Sequence, residues 1–86
     1  MPLLAELRPG EKARIVTVVG DDFVSLRLRE MGLIEGEVVE FLGTAPLGDP
    51  LEVRVGDYRL SLRRAEASRV RVVAIASSEP SSQVDP

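Results

Sequence analysis

The chain contains no cysteine and no histidine. The first absence removes disulfides, thiol nucleophiles, zinc ribbons and redox motifs together. The second removes the commonest general base at neutral pH and the commonest transition-metal ligand, so carboxylates, arginines and backbone groups are all that is left for any chemistry. Aromatic side chains are scarce, with only Phe23, Phe41 and Tyr58 present. Long apolar runs are missing too. The longest, Val72 to Ala76, falls far short of the roughly 20 residues a helix needs to cross a bilayer. The N-terminal Met-Pro-Leu-Leu-Ala-Glu-Leu has no basic lead and meets a charge at Glu6, so it reads as neither signal peptide nor membrane anchor, and the expected location is cytoplasmic. No catalytic residue, metal ligand or cofactor is expected.

What is present fits one small domain. Eighty-six residues lie near the lower size at which a hydrophobic core is self-sufficient. The last ten, Ser-Ser-Glu-Pro-Ser-Ser-Gln-Val-Asp-Pro, can bury almost nothing, so the domain is expected over residues 1–76 with a disordered tail at 77–86. The formal net charge is −3, and two of its 14 acids, Glu79 and Asp85, fall in that tail, leaving 12 acids against 11 bases. Such balance argues against a nucleic-acid binder, which needs a cationic surplus to neutralise phosphates. The charges are nevertheless segregated. Six acids and no base lie between Glu30 and Glu52, whereas Arg59, Arg63, Arg64, Arg69 and Arg71 face the single acid Glu66 between Tyr58 and Arg71. Cross-strand pairing is one reading of that pattern and a polarised face for a charged partner is the other.

The spacing along the chain predicts five strands and one helix. Pro9-Gly10-Glu11 makes a turn into a strand over Lys12 to Val19, which Gly20 ends. Asp21-Asp22 offers an N-cap and Gly32 a C-terminal stop, so a helix is expected from Asp22 to Met31. A turn through Gly32 to Gly36 leads to a strand over Glu37 to Gly43, with Val39 and Phe41 on one side. After the Pro-rich loop Thr44 to Pro50, Leu51 to Val55 and Tyr58 to Leu62 form a hairpin through Gly56-Asp57. A helical turn at Arg63 to Ala67 precedes a last strand, Arg69 to Ala76. A flat sheet of this size leaves one face and two edges wet, and bending it into a barrel removes that cost. The expected fold class is therefore all-β, a five-stranded SH3-like barrel. An OB-type barrel would carry its helix between the third and fourth strands, not after the first.

One helix residue breaks its pattern. At about 100° per residue, Val24, Leu28 and Met31 form a narrow stripe facing the barrel, with Phe23 and Arg27 at its rim, and Leu26 projects roughly 160° away among Asp22, Arg29 and Glu30. Such a leucine either meets a folded-back Leu3, Leu4 or Leu7, or belongs to a partner-binding patch.

The motifs Leu7-x-Pro9-Gly10-Glu11, Arg27-Leu28-Arg29-Glu30-Met31-Gly32-Leu33-x-x-Gly36, Ala45-Pro46-Leu47-Gly48-Asp49-Pro50 and Leu60-Ser61-Leu62-Arg63-Arg64-x-Glu66-Ala67, in this order and spacing, closely resemble the FeoA family of bacterial ferrous iron transport, from Leu3 to about Ile75. The resemblance implies an SH3-like barrel and a partner, the membrane iron transporter FeoB with its cytosolic GTP-binding domain. The same domain type ends DtxR-like iron-dependent repressors, and this chain reads as a free-standing copy without their DNA-binding and metal-sensing parts. The expected role is a non-catalytic accessory or regulatory protein docking on a FeoB-like transporter, with a protein-interaction or metal-response module of the repressor type as the alternative. The expected contact surface is the outer helix arc, Leu26, Arg29 and Glu30, with Arg27 at the stripe's rim and the loop tip Leu47, Gly48 and Asp49. Proline-peptide binding of the ordinary SH3 kind lacks its aromatic walls, and nucleic-acid binding lacks stacking aromatics. Asp21-Asp22 and Glu35-x-Glu37 are the nearest approach to an iron site, and adjacent acids splay apart; they read as a helix cap and a solvated turn edge. The open strand edges and Leu3 to Leu7 leave a homodimer possible.

Overall fold

Strict alternation builds the centre of the sheet. Leu51, Val53 and Val55 are buried while Arg54 between them is exposed, and on the next strand Val39 and Phe41 are buried. In the computed structural model, which describes residues 2–75, the strands are β1 (Lys12–Val18), β2 (Val38–Thr44), β3 (Leu51–Val55), β4 (Tyr58–Leu62) and β5 (Val70–Ala74). They form one antiparallel sheet in the order β4-β3-β2-β1-β5. Helix α1 (Phe23–Glu30) lies between β1 and β2, and the short α2 (Arg64–Ala67) between β4 and β5. Both hairpin strands have the expected limits, and the other elements end within two residues of theirs. The expected tail, residues 77–86, lies outside the described residues, as does residue 76.

Two irregularities curl the sheet. On β1 the buried positions run Ala13, Ile15 and then Val18, because the register with β5 shifts between Ile15 and Thr17. On β2 the register with β3 shifts between Phe41 and Gly43. An extra residue on one strand bends and twists the ladder, and here it wraps the sheet around a core to which α1 and the following turn add Leu28 and Leu33. Five curled antiparallel strands with the helix after the first match the expected SH3-like barrel.

Local chemistry sets the limits of α1. Asp22 is its N-cap, accepting a hydrogen bond from the Ser25 N–H at 3.1 Å. At the other end the Leu33 N–H donates to the Leu28 carbonyl and the Gly32 N–H to the Arg29 carbonyl, at 3.2 and 3.0 Å. This pair of bonds is a Schellman motif, which needs the left-handed backbone Gly32 supplies at φ 107°. It also brings Leu28 against Leu33, both fully buried.

The N-terminal segment is part of the barrel. A 3₁₀ turn at Leu4–Glu6 packs on β5 and α2 and sinks Leu4 completely into the core. Before it, the Pro2 carbonyl accepts from the Val72 N–H at 3.0 Å, and Leu3 bridges Arg71. One of the two sheet edges, that of β5, is thus covered by the chain itself.

Candidate functional site

Helix α1 is held on its two flanks by the two arginines that the sequence placed among the partner contacts. Arg29 donates to the carbonyls of Val18 at 2.8 Å and Gly20 at 3.1 Å, tying the helix to the end of β1. Arg27 forms an ion pair with Glu66 of α2. Between these two anchors runs an outward ridge. Leu26 lies on it with 52% of its surface exposed, and Glu30 is exposed one turn later. The N-terminal leucines leave Leu26 uncovered to that extent, Leu4 having gone into the main core.

The buried side of α1 is rotated from the expected stripe. Leu28 is buried and Val24 and Met31 pack partly against the core, as expected, but Ser25 is fully buried and Phe23 is 74% exposed. Two local facts account for the exchange. The Ser25 hydroxyl donates to the Asp22 carbonyl at 2.9 Å, so its polar atom is satisfied without water. Phe23 is the first helical residue, and helical side chains lean toward the N-terminus, which carries this ring past the end of the helix instead of onto its packed face. Phe23 therefore joins Leu26 on the ridge, three residues apart and on adjoining turns. Periodicity alone missed it; its place directly after the N-cap was the available signal.

The loop tip is held by a different arginine. Arg64 donates to the Gly48 carbonyl through Nη2 at 2.9 Å and Nε at 3.3 Å, and to the Ala5 carbonyl through Nη1 at 3.4 Å. Asp49 accepts from the Arg64 backbone N–H at 3.0 Å. Gly48 and Asp49 are thus occupied in fastening the loop to α2, while Leu47 stands 96% exposed at its apex. The ridge and the tip are joined through α2, where Arg27 pairs with Glu66 and Asp49 accepts from the Arg64 N–H.

Ion pairs across elements join Arg54 with Glu40 at 3.9 Å, Arg59 with Glu52 at 3.1 Å, and Arg69 with Asp22 at 2.6 Å, so cross-element pairing accounts for part of the segregated charge. Among the described residues, no group of three acidic side chains is arranged to hold a metal ion. The Arg69 guanidinium, helped by the Ser25 N–H, holds the Asp22 carboxyl down from its ordinary 3.8 to about 2, and Asp22 in turn raises Arg69. A carboxyl depressed in the folded state binds its proton first in the unfolded state, so its contribution is complete above about pH 4 and is lost as pH falls toward about 2. Asp22→Asn is expected to lose less stability over that interval than the parent protein. Urea midpoints measured from pH 5 to pH 2 check this, and parallel curves for the two proteins would contradict it.

The FeoA domain model matches residues 2–74. A fusion protein of Porphyromonas gingivalis, Fe(2+) transport protein A joined to the Fe(2+) transporter FeoB, is 40% identical over 79 residues, covering 92% of this chain. The chain spans only 9% of that relative. Among solved structures, FeoA of Stenotrophomonas maltophilia in complex with zinc, described as a procaryotic SH3 domain protein, is 38% identical. That match covers 84% of this chain and 89% of the other with a TM-score of 0.74. FeoA of Chlorobium tepidum is 35% identical with a TM-score of 0.81, over 99% of this chain and 81% of the other. With the barrel, the four motifs and a domain match over nearly all the described residues, this chain belongs to the FeoA family.

Proposed function

We propose that the chain is a non-catalytic accessory or regulatory component of bacterial ferrous iron uptake, working in the cytoplasm by docking on the cytosolic GTP-binding part of a FeoB-like transporter. The observation that carries this reading is the Porphyromonas gingivalis relative, in which a region 40% identical to this chain and the FeoB transporter are one polypeptide. Natural fusion holds together partners that must meet, because a tether raises the local concentration of one at the other. The docking surface is the ridge bearing Leu26 and Glu30, with the apex Leu47 and its rigid supports Gly48 and Asp49; Arg27 and Arg29 serve it by fixing the pose of α1. A prefixed surface loses little entropy on binding. In this reading Fe2+ is the cargo of the transporter, and this chain contributes contacts, not ligands.

Titrating the chain with the cytosolic GTP-binding part of the FeoB-like transporter of its own organism tests the proposal. With GDP or a non-hydrolysable GTP analogue present, saturable one-to-one binding is expected in at least one nucleotide state by calorimetry or by backbone amide shifts. No binding in either state overturns the function.

A further inference from the structure

We infer that the outward ridge of α1 is a hydrophobic anchor centred on Phe23, shaped to seat on a cationic amphipathic segment of the transporter's cytosolic part; this rests on the function proposed above. Phe23 and Leu26 adjoin on the helix. Val19, itself exposed, lies on the strand end that Arg29 ties to the same helix through the carbonyls of Val18 and Gly20. One exposed apolar side chain means little, but a phenylalanine and a leucine adjoining on one helix face form the centre of a patch. The ring of Phe23 contributes almost nothing to the core, and aromatic residues dominate the energetics of contact surfaces.

The rim specifies the charge of the partner. Asp21 and Glu30 border the patch, exposed and without an ion-pair partner among the described residues. Of the neighbouring cations, Arg27 and Arg69 are neutralised by Glu66 and Asp22, whereas Arg29, bound to two neutral carbonyls, keeps its charge, so two unpaired acids stand against one arginine. A second copy docked on the same ridge by a two-fold would bring these acids together, which disfavours a homodimer here. A segment with apolar residues flanked by Lys or Arg complements both features. The apolar centre is small against the roughly 800 Å² that each partner buries in a standard interface. Such a contact is weak alone and effective when tethered, and in the Porphyromonas gingivalis relative a single chain supplies the tether.

The test compares Phe23→Ala, Leu26→Gln and Glu30→Lys with the parent chain in the same titration. Phe23→Ala is expected to weaken binding about ten- to a hundredfold with no fall in unfolding temperature, since the ring is mostly in solvent. Glu30→Lys is expected to weaken it further as a like charge meets the cationic segment, and parent affinity is expected to fall as salt is raised through the range that screens surface charges. If Phe23→Ala binds like the parent while Leu26→Gln does not, the anchor is wrong and the docking function stands. If Glu30→Lys binds as well or better, the cationic partner is wrong. If the parent does not bind in either nucleotide state, the docking function falls and this inference with it.

Discussion

Leu26→Gln is expected to cost about thirty- to a thousandfold in affinity for the proposed FeoB-like partner while leaving the domain folded. Leu26 already has 48% of its surface covered within the domain, by difference from its 52% exposure, so docking removes only the remaining half from water. That half is worth about 1 kcal/mol, from the roughly 1.5 to 3 kcal/mol of a full leucine side chain. Glutamine adds a second loss. Its amide would be desolvated under the partner without an acceptor or donor matched to it, at about 1 to 3 kcal/mol. The two terms together come to about 2 to 4 kcal/mol, which is about thirty- to a thousandfold in affinity. In the free domain the same amide stays in water, and a surface substitution of this kind changes stability by about 0.5 kcal/mol or less. Affinity and thermal unfolding measured on the same preparation separate the two effects. Collapse of the fold in Leu26→Gln would show that the ridge is packing surface, not docking surface.

The largest effect on stability is expected from Leu4→Ala, at the fourth residue of the sequence. Leu4 is fully buried among residues of the main core, and the segment carrying it supplies a backbone bond to Val72 and a turn packed on α2. Truncating a buried leucine removes its transfer free energy and leaves a cavity, together about 2 to 5 kcal/mol. A domain of this length has only about 4 to 13 kcal/mol to lose, so the unfolding temperature should drop by about 10 °C or more. Leu47→Ala is the matched control, a leucine with 96% exposure whose removal should leave the unfolding temperature near that of the parent. Equal stability of the two variants would mean that the N-terminal turn lies on the core without belonging to it.

The elements legible in the sequence are those whose information is local. The β3–β4 hairpin was readable to the residue because Leu51, Val53 and Val55 alternate and Gly56-Asp57 turns the chain. Helix α1 was readable because the Asp22 cap and the Gly32 stop act within a few residues of the backbone groups they satisfy. The place of Leu26 on the outer arc was legible too, from the helical period, but its 52% exposure was not, because a folded-back Leu3, Leu4 or Leu7 could equally have covered it. The exchange of Phe23 for Ser25 was not, because it depends on where the helix begins relative to its packing partners.

The arginines show where local reading stops. Arg27, Arg29 and Arg64 lie on or beside the motifs that resemble the FeoA family, and nothing in their spacing distinguishes a contact arginine from an internal clamp. Their acceptors, Glu66, the carbonyls of Val18 and Gly20, and the carbonyl of Gly48, are 9 to 39 positions away in the chain. By itself, then, the sequence determined the all-β plan, the helix and its ends, the family and the lone leucine on the outer arc. Only the tertiary structure decided that Leu4 is core, that Phe23 stands beside Leu26, and that three arginines hold the surface in place. The division follows from range: caps, turns and alternation are satisfied by near neighbours, whereas burial of a terminus or of a guanidinium's hydrogen bonds is settled by segments that meet only when the barrel closes.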